Sequence, residues 1–381
     1  MFKNPLKYSL PILFIILLGC SSEDEITPTE LEASELEFLK NLLMTNQTMG
    51  EIWSDFNLRV SPIYILAGEG EGFLMNPSAT MIDASLEVTY EIDGLPEIPV
   101  YRNQEFFEIA QQELIEARRF FAFPSYKGEN TYFYKVDNTI FSQEDPDRDD
   151  DYLRYKNRAD LAHVSIFFHE LFHFYQFQQP NFFTGDDQIQ DITSYPLTIE
   201  TLPLQLLLFE VMADAFKAED KEQSRDYLRY YVSIEERLER IDPTANKLIR
   251  SHGFYQEKIE GTARFVEDFS TELALGNTTL EDPTHGFRTR TATITSREDV
   301  NYYYKFRIFY HVGAGAIYLL RTLDFPNLEE AFRVPENTPF DIASEFLKLD
   351  ESEKESAFEE VKALYDFNSL EERASFLLSL P

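Results

Sequence analysis

His169, Glu170 and His173 stand as His-Glu-x-x-His inside Ser165-Ile166-Phe167-Phe168-His169-Glu170-Leu171-Phe172-His173-Phe174-Tyr175-Gln176-Phe177, a run that is otherwise almost wholly apolar. Ionisable side chains in such a run cost free energy unless they are paired or bind something. A helix turns once per 3.6 residues, so His169 and His173 lie one above the other with both imidazoles able to reach one point. That is the spacing of a two-histidine zinc site. Glu170 lies about 100° further round the helix, too far to share the metal and near enough to take a proton from a water there, as a general base does. The plainer alternatives are satisfied core residues or a solvent-facing amphipathic helix. With six His in 381 residues the pattern seldom arises by chance, and the apolar setting leaves no polar stripe for solvent.

Zinc in a hydrolase usually keeps three protein ligands and one open position. No His-x-x-Gly-x-x-His continuation follows His173, so a carboxylate from another element is expected. The best candidate segment is Glu257-Lys258-Ile259-Glu260-Gly261-Thr262-Ala263-Arg264-Phe265-Val266-Glu267. A glycine inside a helix costs roughly 1 kcal/mol, so Gly261 predicts the close approach of another backbone, expected to be the histidine-bearing helix. Glu210, within Leu206-Leu207-Leu208-Phe209-Glu210-Val211-Met212-Ala213-Asp214, is a rival, because a glutamate among leucines needs a partner whatever its task. Glu257 is a third. His163 falls on another face of the helix, and His252, His285 and His311 lack a partner four residues away.

Three motifs in order, His169-Glu170-x-x-His173, Glu260-Gly261-x-Ala263-x-Phe265 and Tyr310-His311-Val312-Gly313-Ala314, resemble those of gluzincin metallopeptidases, nearest the aminopeptidase N-like enzymes. The resemblance implies that Glu260 is the third zinc ligand and that Tyr310 hydrogen-bonds the oxyanion. The plainer role for Tyr310 is an aromatic packed among Tyr302-Tyr303-Tyr304 and Phe306-Phe309. Glu210 and Asp214 also match a Glu-x-x-Ala-Asp pattern of some gluzincins, and carboxylates that do not bind the metal are candidates to orient the histidines. The likeness spans about Ser165 to Leu320 and departs from the family in its long spacer between His173 and Glu260. It also lacks Gly-x-Met-x-Asn, which Gly70-Glu71-Gly72-Phe73-Leu74-Met75-Asn76 matches only in part, so aminopeptidase specificity is not implied. The activity implied is zinc-dependent peptide-bond hydrolysis; the competing class is a non-catalytic surface lipoprotein binding glycans or peptides, with a structural or vestigial metal site.

The elements that must position these residues are of mixed type, an α+β chain with a β-rich part over residues 34–156 and a mainly helical, zincin-like part over 157–381. Hydrophobic spacing predicts an opening helix from Glu30 to about Asp55, strands over Val60–Ala67, Gly72–Met75 and Leu86–Ile92, a helix over Asn103–Arg119, and a hairpin of Tyr132–Val136 with Thr139–Ser142. Helices are expected at Arg158–Gln179, Leu204–Ala218, Gln223–Arg240, Tyr255–Leu275 and Val300–Thr322, with an irregular stretch over Pro180–Pro203 that could border the site. The acidic run Glu144 to Asp151 lacks the glycine and closing glutamate of an EF-hand loop and reads as a solvated turn.

At 43% hydrophobic and 15% aromatic residues the chain can bury a large core, while a net charge of −34 opposes binding to nucleic acid or anionic lipid. Residues 1–19 read as a signal peptide, with Lys3 and Lys7 ahead of a short apolar run. The sequence Leu17-Leu18-Gly19-Cys20 resembles a bacterial lipobox and makes Cys20, the only cysteine, an acyl anchor. An acidic tether over 20–33 follows. Placement at the outer membrane or cell surface, with a peptide or protein substrate and no nucleic-acid partner, is the expectation.

Overall fold

The computed structural model describes residues 31–67, 72–82, 86–90, 95, 98–136, 159–179, 182, 192–276 and 283–381. The leader, Cys20, most of the tether, the acidic run over 144–151 and the strand expected at Thr139–Ser142 lie outside these residues.

The chain opens with α1 (Ala33–Ile52), whose apolar side chains at helical spacing, Leu39, Leu42 and Met49 among them, are buried. Glu35 accepts from the backbone N–H of Glu32, closing the helix start, and the same carboxylate takes two bonds from Arg102, at 2.8 and 2.9 Å. Arg102 also donates to the carbonyl of Gly72. This enclosed fork ties α1 to the sheet, since a buried guanidinium needs its acceptors arranged in one plane.

A six-stranded sheet follows, in the order β3-β4-β2-β1-β8-β5, built from β1 (Ile63–Ala67), β2 (Phe73–Met75), β3 (Leu86–Tyr90), β4 (Ile98–Arg102), β5 (Phe121–Ala122) and β8 (Tyr132–Val136). β1 and β8 run parallel, with Ile63 opposite Tyr132, and the other pairs are antiparallel. The buried five-residue run of β1 fits a strand covered on both faces. β2, the partial match to Gly-x-Met-x-Asn, lies between β1 and β4 with all three side chains buried, closed to a substrate. β6 (Ser125–Tyr126) and β7 (Glu129–Asn130) form a hairpin whose turn residues Lys127 and Gly128 both have positive φ. Short α2 (Ala79–Ile82) and α3 (Gln104–Ala110), capped by Asn103, complete this half; the helix expected over Asn103–Arg119 continues as a π-helical segment at Gln111–Glu116.

The helical half comprises α4 (Ala159–Gln178), α5 (Leu202–Ala215), α6 (Lys221–Ile241), α7 (Tyr255–Leu275), α8 (His285–Thr291), α9 (Arg297–Tyr302), α10 (Ile308–Thr322), α11 (Leu328–Phe332), α12 (Pro339–Leu347), α13 (Glu351–Leu364) and α14 (Phe367–Ser379). The class is thus α+β, as the sequence indicates, and among the described residues the sheet lies in the N-terminal half. The larger hydrophobic core runs through both halves, and a smaller, separate cluster that includes Tyr64, Leu74, Phe106 and Phe133 lies in the N-terminal half. α4 is central to it: Phe172 meets Trp53 and Phe56 edge-on at 5.0 Å, Phe167 packs on Tyr132 and Tyr134, and α7 covers the remaining face. The helix expected over Val300–Thr322 is instead α9, a π-helical segment at Tyr303–Arg307, and α10.

Candidate metal centre

α4 carries His169 and His173 on the face turned toward α7, and α7 carries Glu260. The two imidazole Nε2 atoms stand 3.0 Å apart, Glu260 Oε2 lies 3.2 Å from His173 Nε2 and 3.4 Å from His169 Nε2. Three donors about 2.0–2.1 Å from one tetrahedral zinc would be about 3.3 Å from each other, so the observed spacings fit that ion. Among the described residues this is the one group of three such donors close enough to share a metal.

Both rings are held from behind. His169 Nδ1 is 3.0 Å from Glu267 Oε2, and Arg264 Nη1 steadies that carboxylate at 3.5 Å. His173 Nδ1 is 2.7 Å from Gln176 Oε1, and the Gln176 amide nitrogen donates to the Ile259 carbonyl at 2.9 Å and to Thr262 Oγ1 at 2.7 Å. The Ile259 carbonyl can only accept, which fixes the amide and makes His173 Nδ1 a donor. Each Nε2 is therefore left facing the shared point, the tautomer a metal requires.

The rival carboxylates lie elsewhere. Glu210 pairs with Arg288 at 3.5 Å, and Glu257 accepts a 2.6 Å hydrogen bond from Tyr231. Neither orients a histidine. That task falls to Glu267 and Gln176, whose spacing could have shown it: Glu267 is two turns beyond Glu260 and Gln176 is one turn beyond His173, each on its neighbour's face. His163 is packed against Tyr134, His252 against Tyr195 and Phe309, and His311 against Phe209 and Phe287.

Gly261 marks a close approach, as its place in a helix predicts, but of a different neighbour. A Cβ there would stand 2.5 Å from Gly313 Cα, and one at Gly313 would strike the Glu257 carbonyl. The glycines let α7 and α10 touch backbone to backbone; α4 reaches α7 through its side chains. This contact brings Tyr310 to the centre, with its ring stacked on His169 at 5.6 Å and 4°. The Arg307 guanidinium lies 4.8 Å from the opposite partner of that stack, the Tyr310 ring. Both α7 and α10 are entered through π-helical segments, Ile249–Phe254 and Tyr303–Arg307, whose wider turns shift side-chain phase.

Electrostatics follow the geometry. Burial disfavours a charged His169, but Glu260 and Glu267 outweigh it and push the ring up to about 10. Burial likewise opposes charge on Glu260, yet His173 and His169 hold it well below the usual carboxylate range. Glu170 goes the other way: burial raises it, Glu260 and Glu267 add to the rise, and the two histidines only partly offset it. Half-buried Glu170 has no hydrogen bond or ion pair among the described residues. Burial, with Glu260 and Glu170 adding, raises the Tyr310 hydroxyl well above its ordinary value, against the pull of Arg307, so it keeps its proton.

Compared with known proteins, the chain matches no family model, no curated protein and no solved structure.

Proposed function

We propose that the protein is a zinc-dependent metallopeptidase in which His169, His173 and Glu260 hold the ion. The observation that carries this reading is the pairing of three donors at tetrahedral spacing with a carboxylate, Glu170, beside them and committed to no structural partner. Zinc held there would act as a Lewis acid toward the scissile carbonyl and acidify a nearby water. Glu170, more basic than an ordinary carboxylate, takes a proton from the attacking water and returns it to the departing amine. Tyr310 stays protonated and donates a hydrogen bond to the carbonyl oxygen as that atom gains charge. Glu267 and Gln176 keep the imidazoles aimed inward. A purely structural metal would leave Glu170 without a task. Together with the lipobox-like Leu17-Leu18-Gly19-Cys20, the reading places the enzyme on the outer membrane or cell surface, anchored by lipid, with peptides or proteins as substrates.

The test is cleavage of casein and a peptide library by the zinc-loaded chain, with and without a chelator, beside Glu170→Gln. Expected are chelator-sensitive products from the parent and a fall in kcat of about 100-fold or more for a lost general base, with zinc content unchanged. A zinc-loaded parent that cuts nothing, or a variant with full activity, overturns the proposal.

A further inference from the structure

Tyr310 is held at the candidate centre by more than the glycine contact between α7 and α10. Three neighbours bound its ring: His169 lies parallel to it at 5.6 Å and 4°, Phe306 meets it edge-on at 5.3 Å and 74°, and the Arg307 guanidinium sits over it at 4.8 Å. Phe306 and Arg307 both belong to the π-helical segment Tyr303–Arg307 that leads into α10. Arg307 stands three residues before Tyr310, about one turn earlier on the same side of the helix, and is only 9% exposed.

Other arginines among the described residues also lie over rings, but Arg237, Arg250, Arg288 and Arg321 cover phenylalanines, at 5.2 to 6.0 Å. To a phenylalanine such a charge brings packing and attraction alone. Tyr310 carries a hydroxyl on the covered ring, and a cation there polarises the O–H bond and makes it a stronger hydrogen-bond donor. The contact is enclosed, so water screens it little. At the hydroxyl, burial, Glu260 and Glu170 all oppose negative charge, and Arg307 acts against them.

We propose that Arg307 is the positioning residue of Tyr310, its guanidinium fixing the ring beside His169 and strengthening the hydrogen bond that the hydroxyl gives to the substrate's carbonyl oxygen. The inference rests on the peptidase reading and adds a residue to it. Arg307 acts through the ring and does not touch the substrate. A ring clamped in this way keeps its hydroxyl aimed at one point without rearrangement during the reaction, which is what a donor to a developing negative charge requires. The hydrogen bond grows as the carbonyl oxygen gains charge, so the effect of Arg307 falls on kcat and leaves KM alone.

The experiment is a double-mutant cycle on the zinc-loaded chain, with Arg307→Met, Tyr310→Phe and the two combined, beside Arg307→Lys. Two quantities are read: kcat and KM for a peptide that the parent cleaves, and, by calorimetry, the affinity of a phosphinic peptide, a tetrahedral anion whose binding needs no turnover. Expected from Arg307→Met is a fall of about tenfold in kcat and in phosphinate affinity, part of the roughly 100-fold or more that loss of an oxyanion donor costs, with KM and zinc content held. Arg307→Lys keeps the charge and most of both quantities. With Tyr310→Phe already present, Arg307→Met has no further effect, because the hydroxyl it acts through is gone. Arg307→Gln runs the same cycle if the methionine variant loses its zinc or its fold. The same loss with and without the Tyr310 hydroxyl overturns the proposal, since the guanidinium then acts on the substrate directly or on the fold. So does Arg307→Lys no better than Arg307→Met. A zinc-loaded parent that neither cleaves peptides nor binds the phosphinate defeats the peptidase reading and this inference with it, whereas an additive cycle in an active parent defeats this inference alone.

Discussion

Replacing Gly261 by alanine is expected to damage stability and metal binding together. The added Cβ would stand 2.5 Å from Gly313 Cα, 2.7 Å from its carbonyl carbon and 3.0 Å from Ala314 N. Carbon atoms rest about 3.5–4.0 Å apart, and every clashing atom is backbone, so no rotamer relieves the contact. α7 and α10 must part by about 1 Å. Overpacking of this kind costs about 1–3 kcal/mol, offset by the roughly 1 kcal/mol that alanine gains over glycine within a helix; the net loss is about 0–2 kcal/mol. Glu260 is the adjacent residue and its oxygen sits 3.2 Å from His173 Nε2, so a shift of this size breaks the shared coordination point. Zinc affinity is expected to fall about 10–100-fold, the range seen when ligand positioning is disturbed. Gly50, in α1, has nothing within 4 Å of its would-be Cβ and provides the contrast: Gly50→Ala should stabilise by about 0.5–1 kcal/mol. Urea unfolding gives the stabilities, and competition against a chromophoric chelator gives the affinities. A Gly261→Ala protein equal to its parent in both would refute the backbone contact as described.

The buried fork between Arg102 and Glu35 makes Arg102→Met costly, about 3–5 kcal/mol by urea unfolding, because Glu35 is left charged and enclosed; a loss under 1 kcal/mol would contradict that. Gln176→Leu should weaken zinc about 10–100-fold, as His173 loses the acceptor on its Nδ1, and should lower stability by about 1–3 kcal/mol because that largely buried donor is left without a partner; unchanged affinity would count against it. Burial raises the carboxyl of Glu257, and that of its neighbour Glu235, above the ordinary carboxylate range. The folded protein then keeps a proton that the unfolded chain gives up, so stability is greatest below the unfolded carboxylate pKa of about 4.3 and falls as pH rises above it. Glu257→Gln should make that slope shallower, and an identical pH profile would sink the assignment.

Much of this was legible because some residues have few other uses. An ionisable triplet in an apolar helix and a glycine beside a glutamate in another led to His169, Glu170, His173 and Glu260. The long helices could be read from their spacing, and α7 has the bounds its pattern predicts. What could not be read depends on neighbours distant in sequence. Gly261 predicts a close contact without naming its partner, and only the fold identifies Gly313. The parallel pairing of β1 with β8 joins segments about 70 residues apart, and an apolar run that predicts a strand says nothing of its register. The π-helical segments have no residue signature, so Val300–Thr322 read as one continuous helix. The Glu235–Glu257 pair is invisible until α6 and α7 are set side by side.

Anomalous diffraction at the zinc edge, from crystals of the protein grown with zinc, tests the central claim most directly. The account predicts one strong peak per chain, bounded by His169 Nε2, His173 Nε2 and Glu260 Oε2, with Glu170 next to it and not bound. A peak elsewhere, or none between those three side chains, would contradict it.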